Sequence, residues 1–192
     1  MRLRKLLAYH SSACGSPLPD ASKTGDLGAL PRPSQSRPRG SHSTDAMEIR
    51  TELEIAAPVA EIWGILSDFP RYQEWNPFIT EISSDNVVGN PLQVQLSLPE
   101  GRDYRLKPRL LCFEADRELR WREHLLLPGL FDSEHFFRLE QLAENRTRFV
   151  QGANFSGILL RFSGRTITRA ARGFVYMNEA LKRRAEGARG VS

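Results

Sequence analysis

Glu123 and His135 are the two residues of this sequence whose types and spacing suit acid–base chemistry. They lie on neighbouring predicted strands, residues 118–126 and 133–142. Histidine exchanges protons near neutral pH, and a nearby carboxylate can orient its ring. If the turn at Pro128 sets the register, the two side chains approach within hydrogen-bonding distance on one face of the sheet. The sequence favours a structural hydrogen-bonded pair, or a shifted register in which Glu123 faces water, over a catalytic pair.

The strand face that carries this pair is rich in apolar side chains. Residues two apart on a strand share a face, as Trp121 and Glu123 do on one strand and His135 and Phe137 on the next. We predict that these faces, with one stripe of the C-terminal helix, line a ligand cavity. Trp75 either gates its mouth or packs as a plug. The predicted ligand-binding residues are Trp75, Phe78, Trp121, Glu123, His135, Phe137, Gln151, Phe155, Ala170, Phe174 and Met177.

Other chemistries find no support in the residue pattern. The four His and two Cys show no metal-ligand spacing, and the glycines form no phosphate-binding loop, so we predict neither metal nor cofactor. The chain has 27 Lys and Arg against 23 Asp and Glu. Seven of those cations and three of those acids fall in residues 1–46, which leaves 20 of each elsewhere. This balance predicts no nucleic-acid partner.

Composition divides the chain into a tail, a domain and a short end. Residues 1–46 contain five Pro, four Gly and eight Ser without an apolar period, so we predict disorder there and in residues 187–192. The domain is predicted at 47–186. Cys14 lies in the tail and Cys112 in a predicted strand, so no structural disulfide is expected. We predict a cytoplasmic location without an integral membrane segment; the tail is alternatively an organellar presequence or an over-extended gene start.

Periodicity from Met47 onward predicts an α+β domain. Ile49 and Ile55 share one face of a first strand, and Pro58 opens a short helix that is followed by a second ending at Pro77. Strands are then predicted at 78–88, 92–98, 104–114, 118–126, 133–142 and 148–155, and short turns between them indicate an antiparallel meander. Apolar residues from Ile167 onward recur every three or four positions, which predicts a long amphipathic final helix.

Several motifs resemble the SRPBCC superfamily, specifically its polyketide cyclase/dehydrase-like branch, over residues 47 to about 186. These motifs are residues 72–78, 119–122, 127–132, 134–135, 147–151, 155–157, 172–174 and 177–182. The resemblance implies a helix-grip (START-like) fold. In that fold a curved antiparallel sheet of six to seven strands grips a long C-terminal helix, with two short helices after the first strand and a cavity between sheet and helix.

The resemblance leaves three functional classes open. We expect a domain that binds or carries a small hydrophobic molecule such as a lipid, polyketide or aromatic metabolite, without catalysis. One alternative is a cyclase or dehydratase that uses His135 and Glu123, and the other is a protein-interaction module. Related sequences often have a small residue at the position of Glu123 and an acid at that of Ala153, so this chain departs from the pattern at both places.

Overall fold

The structure is a computed structural model that describes residues 46–124 and 127–187. These residues belong to one compact unit. The disorder predicted for residues 1–46 and 187–192 falls outside the described residues, except at Ala46 and Gly187. Those two residues are the first of strand β1 and the last of the final helix.

The described residues contain eight strands and three α-helices. The strands are β1 Ala46–Ile55, β2 Ile79–Ser83, β3 Gln93–Ser97, β4 Asp103–Leu106, β5 Arg109–Glu114, β6 Glu118–His124, β7 Asp132–Ala143 and β8 Arg146–Ser156. The helices are α1 Val59–Ser67, α2 Tyr72–Trp75 and α3 Gly164–Gly187, with short 3-10 turns at Phe69–Arg71 and Leu160–Phe162.

The strands form two antiparallel sheets that meet at one edge. One sheet has the order β1-β8-β7-β6-β5 and the other the order β2-β3-β4, and a bridge between Pro91 and Arg109 links them. The strand predicted at 104–114 is divided into β4 and β5, because Pro108 has no N–H to continue a ladder. The α+β helix-grip fold is confirmed, with eight strands where six to seven were expected.

Helix α3 packs against the larger sheet through one apolar stripe. Its buried side chains include Phe174, Met177 and Leu181, which follow the predicted spacing of three and four. At its far end the stripe reaches Ala185, which belongs to the same core as Ile62 of α1. The helix is therefore held by the sheet on one side and by α1 near its C-terminal end.

Asn76 fixes the chain where it turns from α2 into β2. Its side chain is buried, and its Oδ1 accepts hydrogen bonds from the backbone N–H of Phe78 at 3.0 Å and of Ile79 at 2.9 Å. These bonds satisfy two donors at the start of the strand. The Asn-Pro-Phe motif thus has a structural role, which is to direct the Phe78 ring toward α3.

Cys112 is buried on β5. The sequence predicts no structural disulfide between Cys112 and Cys14. Cys14 lies outside the described residues, so this stays a prediction.

Gly173 of α3 makes room for the Phe78 ring. A Cβ atom at position 173 would lie 2.2 Å from Cδ2 of Phe78, far inside van der Waals contact. Phe78 also packs edge-on against Phe174, with ring centroids 5.4 Å apart. Both rings are almost fully buried, so neither can move aside cheaply.

We expect Gly173→Ala to destabilise the domain. Overpacking costs about 1–3 kcal/mol, which exceeds the helix-propensity gain of about 1 kcal/mol. Gly64 of α1 is the matched control, because nothing lies within 4 Å of a Cβ placed there. Urea denaturation should show a loss of stability for Gly173→Ala and a gain for Gly64→Ala. Equal gains in the two variants would contradict this packing.

Candidate ligand-binding site

A cavity of about 290 Å³ lies between the two sheets and the N-terminal half of α3. Most of its wall is apolar. Strand β3 of the smaller sheet contributes Val94 and Leu96, and Leu98 follows directly after that strand. Helix α3 contributes Ile167 and Ala170. Such a wall favours an apolar ligand, because burying apolar surface is the main driving force for binding.

Seven of the eleven residues predicted to bind ligand line this cavity. They are Phe78, Trp121, Glu123, His135, Phe155, Ala170 and Phe174. Period-two parity on β6, β7 and β8 and the helical stripe of α3 account for all of them except Phe78. Their role in binding a ligand stays a prediction.

The other four predicted residues lie in filled core rather than at the cavity wall. Phe137 packs against Phe149 with ring centroids 5.7 Å apart, and Met177 is fully buried beside the Gln151 amide, 3.5 Å from its Nε2. Trp75 packs on Tyr72 at 5.2 Å, which favours the plug over the gate. Parity identifies the face of a strand but not whether the space opposite is filled.

The cavity wall also includes residues that were not predicted. Val94, Leu96 and Leu98 belong to a strand that was correctly expected, and their alternation was visible in the sequence. What was missing is that β2, β3 and β4 form a separate sheet, so that one face of β3 looks into the cavity. Ser163 and Thr166 contribute hydroxyl groups at the start of α3.

An aromatic cluster around His135 separates the cavity from the filled core. The imidazole stacks on Trp121 with centroids 4.6 Å apart and planes inclined by 11°. It meets Phe137 at 4.9 Å and Phe174 at 5.0 Å, both edge-on. Trp121, His135 and Phe174 face the cavity, whereas Phe137 lies behind them. We call these four residues the aromatic partition.

Burial keeps the His135 imidazole neutral. Loss of hydration lowers the pKa of His135 to about 3, because the charged form is disfavoured among aromatic rings. Its Nε2 lies 3.4 Å from Nε2 of Gln151, and in this orientation the amide donates to an unprotonated ring nitrogen. The ring proton then resides on Nδ1, for which no hydrogen-bond partner is found among the described residues.

Among the described residues, Glu123 is the one carboxylate at the cavity wall. It lies opposite Ser133 on β7, while Trp121 lies opposite His135. Burial raises the pKa of Glu123, and this effect is only partly offset by the backbone amides of Lys107 and His124 and the His124 charge. Its Oε2 is buried with no hydrogen-bond partner within the described part of the chain.

The predicted hydrogen bond between Glu123 and His135 is wrong. Both line the same cavity, but no hydrogen bond joins them where the chain is described. The pairing of β6 with β7 is displaced by two residues from the expected register, which keeps both side chains on one face. Diagonal neighbours on antiparallel strands lie about 7–8 Å apart, too far for direct contact of most side chains.

The low pKa of His135 predicts acid sensitivity. The folded-state pKa is depressed, so between about pH 3 and 6.5 the unfolded chain binds more protons than the folded one. Stability linked to His135 is therefore complete above pH 6.5 and is lost as the pH falls through this window. His135→Phe removes the titrating group while preserving a flat aromatic ring.

We expect the stability of the His135→Phe variant to fall less steeply with acid than that of the unmodified protein. The free energy of unfolding of each protein is measured by urea denaturation at a series of pH values from 7 to 4. Because the other titrating groups are the same in both proteins, their contribution cancels when one free energy is subtracted from the other. A difference that does not change with pH would contradict a neutral, buried imidazole.

Metal and membrane features are absent from the described residues. Residues 46–124 and 127–187 contain no group of three or more His, Cys, Asp or Glu placed to hold a metal ion. Among the same residues, no helix combines the length and apolar character needed to cross a bilayer.

The curved sheets, the gripped helix and the cavity between them define a helix-grip domain of the START type. The family model described as "Polyketide cyclase / dehydrase and lipid transport" matches residues 46–186. The chain therefore belongs to this family, and the SRPBCC resemblance is confirmed. No curated protein matches the sequence.

Solved structures show the same fold at low sequence identity. A START superfamily protein from Mycobacterium smegmatis is 18% identical with a TM-score of 0.59, covering 73% of this chain and 98% of its own. The Zhui aromatase/cyclase from a Streptomyces species is also 18% identical, with a TM-score of 0.61 and coverage of 77% and 100%. The di-domain aromatase/cyclase StfQ of steffimycin biosynthesis is 16% identical with a TM-score of 0.53, covering 76% of this chain and 52% of that one.

Proposed function

We propose that this protein binds or carries a small hydrophobic molecule in the cavity between the sheets and α3, without catalysis. The cavity itself is the observation that supports this function. It has a volume of about 290 Å³ and walls dominated by Leu, Ile, Val and Phe side chains. Burial of apolar ligand surface at about 25 cal/mol per Å² supplies the affinity.

Cavity size narrows the class of ligand. Small-molecule sites occupy about 300–1,000 Å³, so a cavity of about 290 Å³ lies at the lower end of this range. A compact aromatic metabolite or a short polyketide fits better than a long-chain lipid. The flat rings of Trp121 and Phe174 at the wall suit stacking on an aromatic ligand.

Polar groups at the wall select a ligand that carries a hydroxyl or another hydrogen-bond donor. Oε2 of Glu123 has no partner among the described residues, and Ser133 lies directly across the strand pair from Glu123. A ligand donor that reached this oxygen would remove an unsatisfied buried acceptor, which costs about 1–3 kcal/mol when left alone.

The environment of His135 supports binding over catalysis. A pKa of about 3 makes the imidazole a weak base at neutral pH, where an effective general base has a pKa close to the working pH. Its hydrogen-bond partner is the Gln151 amide rather than a carboxylate that would stabilise the imidazolium. The cytoplasmic location remains a prediction from sequence.

Filling the cavity tests the binding function. Ala170→Phe places an aromatic ring where Ala170 meets the cavity, so the affinity for naphthol, a neutral fluorescent aromatic alcohol, should fall at least tenfold. Val175→Phe is the matched control, because Val175 lies on the same helix but is exposed. Fluorescence titration measures both affinities.

Two results would count against the proposal. If naphthol does not bind the unmodified protein, the cavity does not accept a compact aromatic molecule. Equal weakening by Ala170→Phe and Val175→Phe shows that the probe binds elsewhere. Thermal melting of each variant confirms that the fold is retained.

A cyclase or dehydratase is the second candidate, and the raised pKa of Glu123 at the cavity wall favours it. A carboxyl group whose pKa is moved toward neutrality can protonate a leaving hydroxyl or remove a proton from an activated carbon. Three aromatase/cyclases among the structural neighbours share the fold at 11–18% identity. The family description names both cyclase activity and lipid transport.

Glu123→Gln separates the two candidates, because it preserves the shape of the side chain and removes its ability to act as an acid or a base. Each protein is purified from its own host, and its bound molecule is weighed by native mass spectrometry. A carrier should retain the same molecule in both proteins. If the variant instead holds a precursor that is heavier by one water, the noncatalytic proposal fails and a dehydratase is supported.

A further inference from the structure

Three large apolar side chains project into solvent from two neighbouring segments, residues 127–130 and 157–162. Phe162 is 74% exposed, Leu127 is 68% exposed and Ile158 is 64% exposed. They are the most exposed large hydrophobic residues in the part of the chain that the structure describes. Exposed apolar side chains gathered in one place mark a surface that meets a partner or a membrane.

Backbone hydrogen bonds hold these side chains in neighbouring positions. The N–H of Ile158 donates to the carbonyl of Gly129 at 3.2 Å, and the N–H of Leu159 donates to that of Leu130 at 3.0 Å. The segments 127–130 and 157–162 therefore run side by side. Gly157 permits this approach, since a Cβ there would lie 2.6 Å from the Leu130 carbonyl oxygen.

Three arginines accompany this apolar group. Arg161, Arg165 and Arg169 form no ion pair with any described acid, whereas the next arginine, Arg172, pairs with Glu100 at 3.2 Å. The Arg161 guanidinium lies 4.8 Å from the centre of the Phe162 ring. Arg165 and Arg169 are one turn apart on α3 and line a shallow groove. The pair formed by Arg172 and Glu100 lies at the same groove, so three arginines face one acid there.

We propose that Leu127, Ile158 and Phe162, with Arg161, Arg165 and Arg169, form a docking surface for an anionic lipid bilayer. We call these six residues the docking patch. Apolar tips bordered by arginines match a bilayer interface, where side chains enter the acyl boundary while guanidinium groups meet lipid phosphates. Charge complementarity identifies an anionic leaflet as the partner.

The docking patch adjoins the ligand cavity. Leu159, Ser163 and Thr166 lie between its members along the chain and face the cavity. The segment 158–170 thus presents one side to the cavity and the other to the docking patch. Docking would place this wall at the bilayer, where an apolar ligand can be exchanged without crossing water. This inference stands on surface residues and does not require the proposed ligand to be correct.

Vesicle cosedimentation tests the docking patch with the full-length protein. We expect binding to mixed phosphatidylglycerol and phosphatidylcholine vesicles, little binding to phosphatidylcholine alone, and release at high salt. The double variant Arg165→Glu with Arg169→Glu should weaken binding about tenfold or more. Ile158→Ser with Phe162→Ser should also weaken it, by removing the inserted side chains.

Arg183→Glu is the matched control, because Arg183 lies toward the other end of α3 and its side chain is 71% exposed. It should leave vesicle binding unchanged. All variants should keep the naphthol affinity of the unmodified protein in vesicle-free solution. This control shows that a loss of vesicle binding comes from the docking patch and not from damage to the cavity. No binding to anionic vesicles overturns the proposal, as does equal weakening by Arg183→Glu. Capture of an acidic protein without vesicle binding also overturns it.

Discussion

The packing of His135 among Trp121, Phe137 and Phe174 is the contact on which the rest of the site depends. The four rings bring β6, β7 and α3 together at one level of the fold. Toward the C-terminal end of α3, the space between sheet and helix is filled by side chains such as Met177 and is closed by α1. Toward its N-terminal end, the same two surfaces enclose a cavity.

This arrangement explains why a titratable residue lies inside an apolar site. A histidine can pack among the other aromatic rings of the partition only in its neutral form, because a charged imidazolium would lose its hydration there. Burial lowers the pKa of His135 and so keeps it neutral. The hydrogen bond from Gln151 orients the ring, and no described residue forms a hydrogen bond with its Nδ1. Glu123, two residues after Trp121 on the same face of β6, has a carboxylate oxygen that no described residue bonds. The cavity is therefore apolar in its walls and polar at a few defined points.

Sequence reasoning reached the fold and much of the cavity wall, because both follow from periodicity. Parity on β6 to β8 placed Trp121, Glu123 and His135 on the correct face. Periodicity could not tell whether the space beside a residue is open or filled, because that depends on distances between elements. Phe137 and Met177 therefore lie on the predicted faces but in filled core. The pairing of Glu123 with Ser133 depends on the register across a turn, and the sequence alone did not determine that register.

An NMR titration with naphthol tests most directly whether the cavity is the ligand site. Methyl resonances of Leu96 and Ile167, which line the cavity, should shift in proportion to occupancy. Those of Ile62 and Leu181, which are buried in the filled core, should change little. Shifts confined to surface residues, or spread evenly over both sets of methyl groups, would contradict a cavity that is separated from the core by the aromatic partition.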